Sequence, residues 1–150
     1  MTEQKAEEIL KEIFGYFDID PKLTITPLAE DTLDINIEGD DLNFLIGRYG
    51  KALEALQTIL SLMLFKQLNK WTKISLDING YRTARIERLH DLVKKHVDRA
   101  RFFASEVEMP PMSPWERREV HLFISDYDDI ESESTGDGRD RRVVLKPKKK

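Results

Sequence analysis

Leu45-Ile46-Gly47-Arg48-Tyr49-Gly50-Lys51-Ala52-Leu53 is a glycine-bracketed turn set between two apolar helical segments. Ahead of it, Asp40-Asp41-Leu42-Asn43-Phe44 reads as a short helix with acidic residues at its start. Behind it, Leu53, Leu56, Ile59, Leu60, Met63, Leu64 and Leu68 recur at helical spacing. Glycines at both ends of the turn let a backbone come close to a ligand, because no side chain stands in the way. The helix that follows offers free N–H groups to an anion, and Arg48 and Lys51 add positive charge. That combination suits a phosphate backbone. A tight helix–helix turn, in which glycine simply satisfies the geometry, fits the same residues. The apolar Ile46, the two cations and the long apolar helix behind them favour the clamp.

Upstream, Ala6, Ile9, Leu10, Ile13, Phe14 and Phe17 mark one face of an amphipathic helix over 3–17, with Gly15 weakening its last turn. Asp20-Pro21 breaks the chain. Leu23-Thr24-Ile25-Thr26 and Leu33-Asp34-Ile35-Asn36-Ile37 alternate as strands with one buried face, joined by a turn around Ala29-Glu30-Asp31. Gly39 ends the second strand. Downstream of the turn the helix runs to about Leu68, and Lys73-Ile74-Ser75-Leu76-Asp77-Ile78 gives a third strand. This order of helix, strand, strand, helix, GxxG, helix, strand resembles the type II, bacterial arrangement of the KH domain over nearly all of 3–79. The resemblance implies a cleft that holds about four nucleotides over the glycine loop. Its candidate RNA-binding residues are Ile46 on the apolar floor, Gly47, Arg48, Tyr49, Gly50 and Lys51.

The second half reads differently. Asn79-Gly80-Tyr81-Arg82 is a hinge in which glycine takes the special conformation. A helix over roughly 82–105 places Ile86, Leu89, Val93, Val97, Ala100 and Phe103 on one stripe and a basic set on its other faces. Met109-Pro110-Pro111-Met112 is a stiff connection. Ser113 is then an N-cap, Pro114 suits the first helical position, and Glu116 can close a capping box. That helix fades in Asp126-Tyr127-Asp128-Asp129. Residues 130–134 and 141–145 read as a strand pair turned at Gly136-Asp137-Gly138. Lys146-Pro147-Lys148-Lys149-Lys150 is a basic tail expected to be disordered. Arg117 and His121 lie four apart and share a helix face. Arginine forks onto phosphate, while histidine stacks on a base or hydrogen-bonds to the backbone. The run Pro-Met-Ser-Pro-x-Glu-Arg-Arg-x-x-His over 111–121 closely resembles the R-three-H domain, which binds single-stranded nucleic acid and is named for its Arg-x-x-x-His pair. Arg85 and Arg118 are the auxiliary candidates there.

A KH domain joined directly to an R-three-H domain resembles the Jag family of SpoIIIJ-associated bacterial RNA-binding proteins, also called KhpB or EloR. The expected fold is α+β, with a type II KH domain over 1–80, a small α/β R-three-H domain over 81–146 and a tail over 147–150. Many members carry an additional N-terminal Jag domain and linker. This sequence shows neither and reads as a short form, so nothing known of that region is carried over. The resemblance implies single-stranded RNA, or single-stranded DNA, as ligand. It further implies a homodimer or a heterodimer with a small KH-only protein, and a role as RNA chaperone or regulator in envelope growth or sporulation.

Composition agrees with that picture in part. Net charge is −4 over 150 residues, which argues against nucleic acid until its distribution is read. Residues 1–43 hold 3 Lys+Arg against 12 Asp+Glu, whereas 44–80, with the glycine loop, hold 5 against 2. Local charge is what governs backbone binding. The absence of cysteine excludes disulfides and thiolate metal sites and fits a reducing cytoplasm. No signal peptide opens the chain, and no apolar run reaches the ~20 residues of a membrane span. No cofactor is expected. His90, His96 and His121 show no metal spacing with carboxylates, no nucleophile motif is present, and Asp126, Asp128, Asp129 and Glu131 read as a solvated acidic helix end. A non-catalytic binding protein is therefore expected. The rival is a dimerisation scaffold, because helix 51–68 carries apolar residues on nearly all faces.

Overall fold

In the computed structural model, which describes residues 1–149, the chain divides into two units, Met1–Arg82 and a second beginning at Thr83. The first runs α1 (Thr2–Tyr16), β1 (Lys22–Ala29), β2 (Thr32–Glu38), α2 (Asn43–Ile46), a 3₁₀ turn (Arg48–Gly50), α3 (Lys51–Leu68) and β3 (Lys73–Ile78). This is the αββααβ series. β1 pairs antiparallel with β2, and β2 pairs parallel with β3. In that register Leu33, Ile35 and Ile37 stand beside Ile74, Leu76 and Ile78, so alternate residues of two strands make one apolar sheet face. α1 covers the face with Ala6, Ile9, Leu10 and Phe14, and α3 covers it with Leu53, Leu56, Leu60 and Leu64.

Polar side chains lock this unit. Gln57 on α3 accepts from the Leu76 N–H and from Arg82 Nη2, both at 3.0 Å, while Arg82 Nε donates to the Leu76 carbonyl at 2.9 Å. Those bonds satisfy backbone groups on the outer edge of β3 that would otherwise invite another strand. Asn79 clamps Gly39 from both sides, donating to its carbonyl and accepting from its N–H. At this corner Asn79 joins Gly80 at positive φ, so the special conformation is shared rather than confined to the glycine. α2 is also shorter than the sequence reading: it starts at Asn43, and Asp41 sits outside it at φ 57°.

The second unit consists mainly of α4 (Tyr81–Phe103, whose first two residues belong to unit one), β4 (Val107–Glu108), α5 (Pro114–Ile124), β5 (Ile130–Thr135) and β6 (Arg142–Pro147). Its sheet has the antiparallel order β4-β6-β5. Leu89, Val93, Val97 and Ala100 of α4, Val120 and Ile124 of α5, and Val143 and Leu145 of β6 share one core. Three expectations change here. The 109–112 connection is part of that core, with Met109 and Met112 buried, and β4 precedes it as a short edge strand. Ser113 does cap α5, accepting from the Glu116 N–H. Glu116 does not complete the box, because both its oxygens are taken by Arg85. Finally, Lys146 and Pro147 are not tail: they end β6, and the Lys148 N–H donates to the Asp129 carbonyl. Lys150 lies outside the described residues.

Candidate nucleic-acid interface

The glycine loop is built from conformations that other residues resist. Gly47 has φ 72° and ψ −175°, a region essentially reserved for glycine. A Cβ there would meet Ala52 Cβ at 2.6 Å and Ala52 N at 2.9 Å. Gly50, at φ 76°, would bring a Cβ to 3.0 Å from the Tyr81 ring. Gly47 therefore serves the close approach of α2 to α3, and Gly50 makes room for the Tyr81 ring. Tyr49 between them is itself left-handed, at φ 57° and ψ 26°. The loop thus turns Arg48 and Tyr49 outward, with the Arg48 guanidinium 5.6 Å from the Tyr49 ring centre. Lys51 is exposed beside them. Ile46 is buried and packs in the core of the unit. No side chain caps the first turn of α3, whose N-cap is Gly50, so none of its N–H groups is taken by a capping side chain. Glu54 is the acidic residue of that first turn.

The α5 constellation is a shallow groove of about 380 Å³, lined by Arg117, Arg118, His121, Ser134 and Arg141 together with Pro114, Leu122 and Ser125. Arg117 Nη1 donates to the Met112 carbonyl at 2.7 Å, which fixes its stem. His121 is held by two hydroxyls of β5, Ser132 at Nδ1 and Ser134 at Nε2. Partial burial, and next the charge of Arg117, hold its pKa below the ordinary histidine value. Arg118 is exposed in the groove. Arg85 is not among its lining: its guanidinium forks onto the fully buried Glu116 at 3.0 and 3.2 Å and ties α4 to α5. Arg141 and Ser134 escape the sequence reading. Ser132 and Ser134 alternate on one strand face and are visible as a pattern, but nothing local says which helix they meet. Among the described residues no group of His, Asp and Glu is gathered as for a metal ion. Asp129 instead pairs with Arg101.

Comparison with known proteins adds the family. The KH domain of the KhpA/KhpB family matches residues 3–78, and the R-three-H domain matches residues 84–147. The chain is 28% identical over 148 residues to the RNA-binding protein KhpB of Clostridium symbiosum, covering 98% of this chain and 67% of that protein. It is 29% identical over 123 residues to the RNA-binding protein KhpB of Bacillus subtilis (strain 168), covering 81% and 59%. The protein of the same name from Streptococcus pneumoniae (strain ATCC BAA-255 / R6) is 27% identical over 150 residues, with 96% and 46% covered. The chain thus spans from about half to two thirds of the length of these relatives. With a KhpA/KhpB-type KH domain carrying the glycine loop and an R-three-H domain carrying the Arg117–His121 face, this chain belongs to the Jag/KhpB family.

Proposed function

We propose that the chain is a non-catalytic single-stranded RNA-binding protein that contacts RNA through the glycine loop and through the α5 groove. The observation that carries this reading is the loop itself: Arg48 and Tyr49 are exposed between two conformationally fixed glycines, ahead of an uncapped helix start. Arg48 and Lys51 take the phosphates, the Tyr49 ring offers a stacking surface, and Ile46 supports the apolar floor. Arg117, His121 and Arg118 hold a further stretch of strand, and Arg85 acts through Glu116 to position α5. Relatives named RNA-binding protein KhpB support the ligand class. The finer role in this reading is that of an RNA chaperone or post-transcriptional regulator in envelope growth or sporulation.

The test is fluorescence anisotropy on short single-stranded RNA and DNA at two salt concentrations. Affinity should fall log-linearly with salt, since each neutralised phosphate releases counterion. Arg48→Asp/Tyr49→Asp should lower it at least roughly tenfold, the cost of replacing phosphate attraction by repulsion at one point of the strand. Undiminished affinity in the folded double variant would remove the loop from the interface.

A second reading is favoured by one observation. Ile59 and Leu62 on α3 are 49% and 52% exposed, an apolar stripe that a second copy or a small KH-only protein would cover. Light scattering after size exclusion should then report a salt-resistant dimer, and Ile59→Asp should return it to monomer. A monomer at all concentrations would dismiss the homodimer.

A further inference from the structure

Ser132 and Ser134 stand two apart on β5 and share one face of the strand, so the His121 ring bridges both hydroxyls, at 2.6 and 2.8 Å. A neutral imidazole has one N–H and one lone pair. One serine must then donate to the ring while the other accepts. In the imidazolium form both nitrogens donate, both serine oxygens accept, and both hydroxyl protons turn away from the ring. Ser134 also lines the α5 groove. Protonation therefore frees its hydroxyl for an anion in the groove in every case, whereas the neutral ring frees it only in the tautomer with the proton on Nε2.

We propose that His121 and Ser134 make the α5 groove proton-linked: an RNA phosphate binding there draws one proton from water onto His121, and Ser134 Oγ–H donates to a phosphate oxygen. Ser134 is thus a further binding residue beside His121, which also acts through it and through its own charge. This inference rests on the groove being an RNA contact. The groups facing the ring set the direction of the linkage. Ser132 and Ser134 of β5 meet the ring, Arg117 of α5 acts on it by charge, and Arg118 and Arg141 line the same groove. Glu131 and Glu133 occupy the alternate positions of β5, and Glu133 is engaged by Lys146. Partial burial, and next the charge of Arg117, disfavour a further cation in the free groove and hold His121 below its ordinary pKa. A bound phosphate offsets those cations and raises it. The bound state consequently takes up protons on falling pH before the free state does. Affinity rises as pH falls through the bound-state pKa and levels off once the free chain is protonated as well.

The experiment uses the full chain carrying Arg48→Asp/Tyr49→Asp, so that the groove is read alone, and a short oligouridylate, whose base does not titrate in the range used. Binding should be about three- to tenfold tighter at about pH 5.5 than at about pH 8, equivalent to roughly half to one unit of pKa shift. Ser134→Ala and His121→Gln should flatten that slope, and Arg117→Ala should weaken binding at every pH. A flat profile in the parent overturns the linkage, and an unchanged slope in Ser134→Ala overturns the serine's part in it, either result leaving the groove as an RNA site. Loss of all salt-sensitive binding in this background overturns the groove reading and the linkage together. NMR titration of the His121 ring, with and without oligouridylate, gives a result that needs no serine variant. A raised pKa supports the linkage, and an unmoved one overturns it.

Discussion

Truncating Glu116 to alanine should destabilise the second unit by about 3–5 kcal/mol, the usual cost of removing one partner of a buried ion pair. The Glu116 side chain is 0% exposed and that of Arg85 is 21% exposed, so neither head group is well solvated. The carboxylate accepts both Nε and Nη2 of Arg85, in the fork geometry that makes such pairs strong. By contrast, the exposed Arg101–Asp129 pair has the same fork but lies in water, where solvent screening leaves such pairs little net effect on stability. Glu116→Gln, which keeps the shape and one acceptor, should cost less than alanine. Arg85→Met combined with Glu116→Leu should recover much of the loss, because no charge is then left in the interior. The chain has two tryptophans, one in each unit. With Trp71→Phe as background, Trp115 fluorescence during denaturation reports the second unit. A Glu116→Ala cost within about 1 kcal/mol would mean that the pair is a surface contact in energetic terms.

Gly47→Ala should cost the first unit about 2–6 kcal/mol. Two effects add. An L side chain in this left-handed, extended conformation costs about 1–3 kcal/mol. Its Cβ would also meet the backbone and Cβ of Ala52 at distances no real contact tolerates, forcing α3 to shift at about 1–3 kcal/mol. Gly50→Ala should cost less: the opposing atoms there belong to the end of the Tyr81 ring, and the left-handed helical region costs an L residue only about 1–2 kcal/mol. Gly80→Ala is the reference, since its φ is also positive but no atom lies within 4 Å of the added Cβ. Trp71 fluorescence in a Trp115→Phe background follows this unit. If Gly47→Ala proved no more destabilising than Gly80→Ala, the close approach at Ala52 would carry no energy. The variant also separates the two roles of the glycines. Because Gly47 is needed for the helix–helix joint, its substitution should lower RNA affinity only as far as it unfolds or displaces the loop. Arg48 and Tyr49, being exposed, are the positions where charge can change with the fold intact.

The first unit was legible almost element by element, because its strands have one wet face and so write a period of two into the sequence. Leu33, Ile35 and Ile37 of β2 show this most clearly. Its least legible parts were the ends of elements. Asp41 at φ 57° stops α2 from reaching back to the acidic pair, and no periodicity reports a single residue in the left-handed region. In the second unit β4 was hidden because a two-residue strand has no period to detect. Lys146 and Pro147 looked like tail by composition, yet pairing with Ile130 and Glu131 keeps them in β6. Composition describes how a segment meets water, whereas a neighbouring strand supplies hydrogen bonds that composition does not record.

By itself the sequence determined the order of elements, the two cores and the glycine joint, since apolar spacing and backbone freedom are properties of neighbouring residues. It also placed Arg117 and His121 on one face, because four residues make about one helical turn. Only the tertiary structure decided which charges remain available. Arg85 and Arg118 look alike in the chain, but α4 and α5 pack so that one meets a buried carboxylate while the other lines the groove. Packing of β5 on α5 likewise brought Ser132 and Ser134 to the ring of His121, and Arg141 to its groove, from a hairpin more than ten residues away. Partnership of this kind is a long-range contact, and it exists only once the cores have formed.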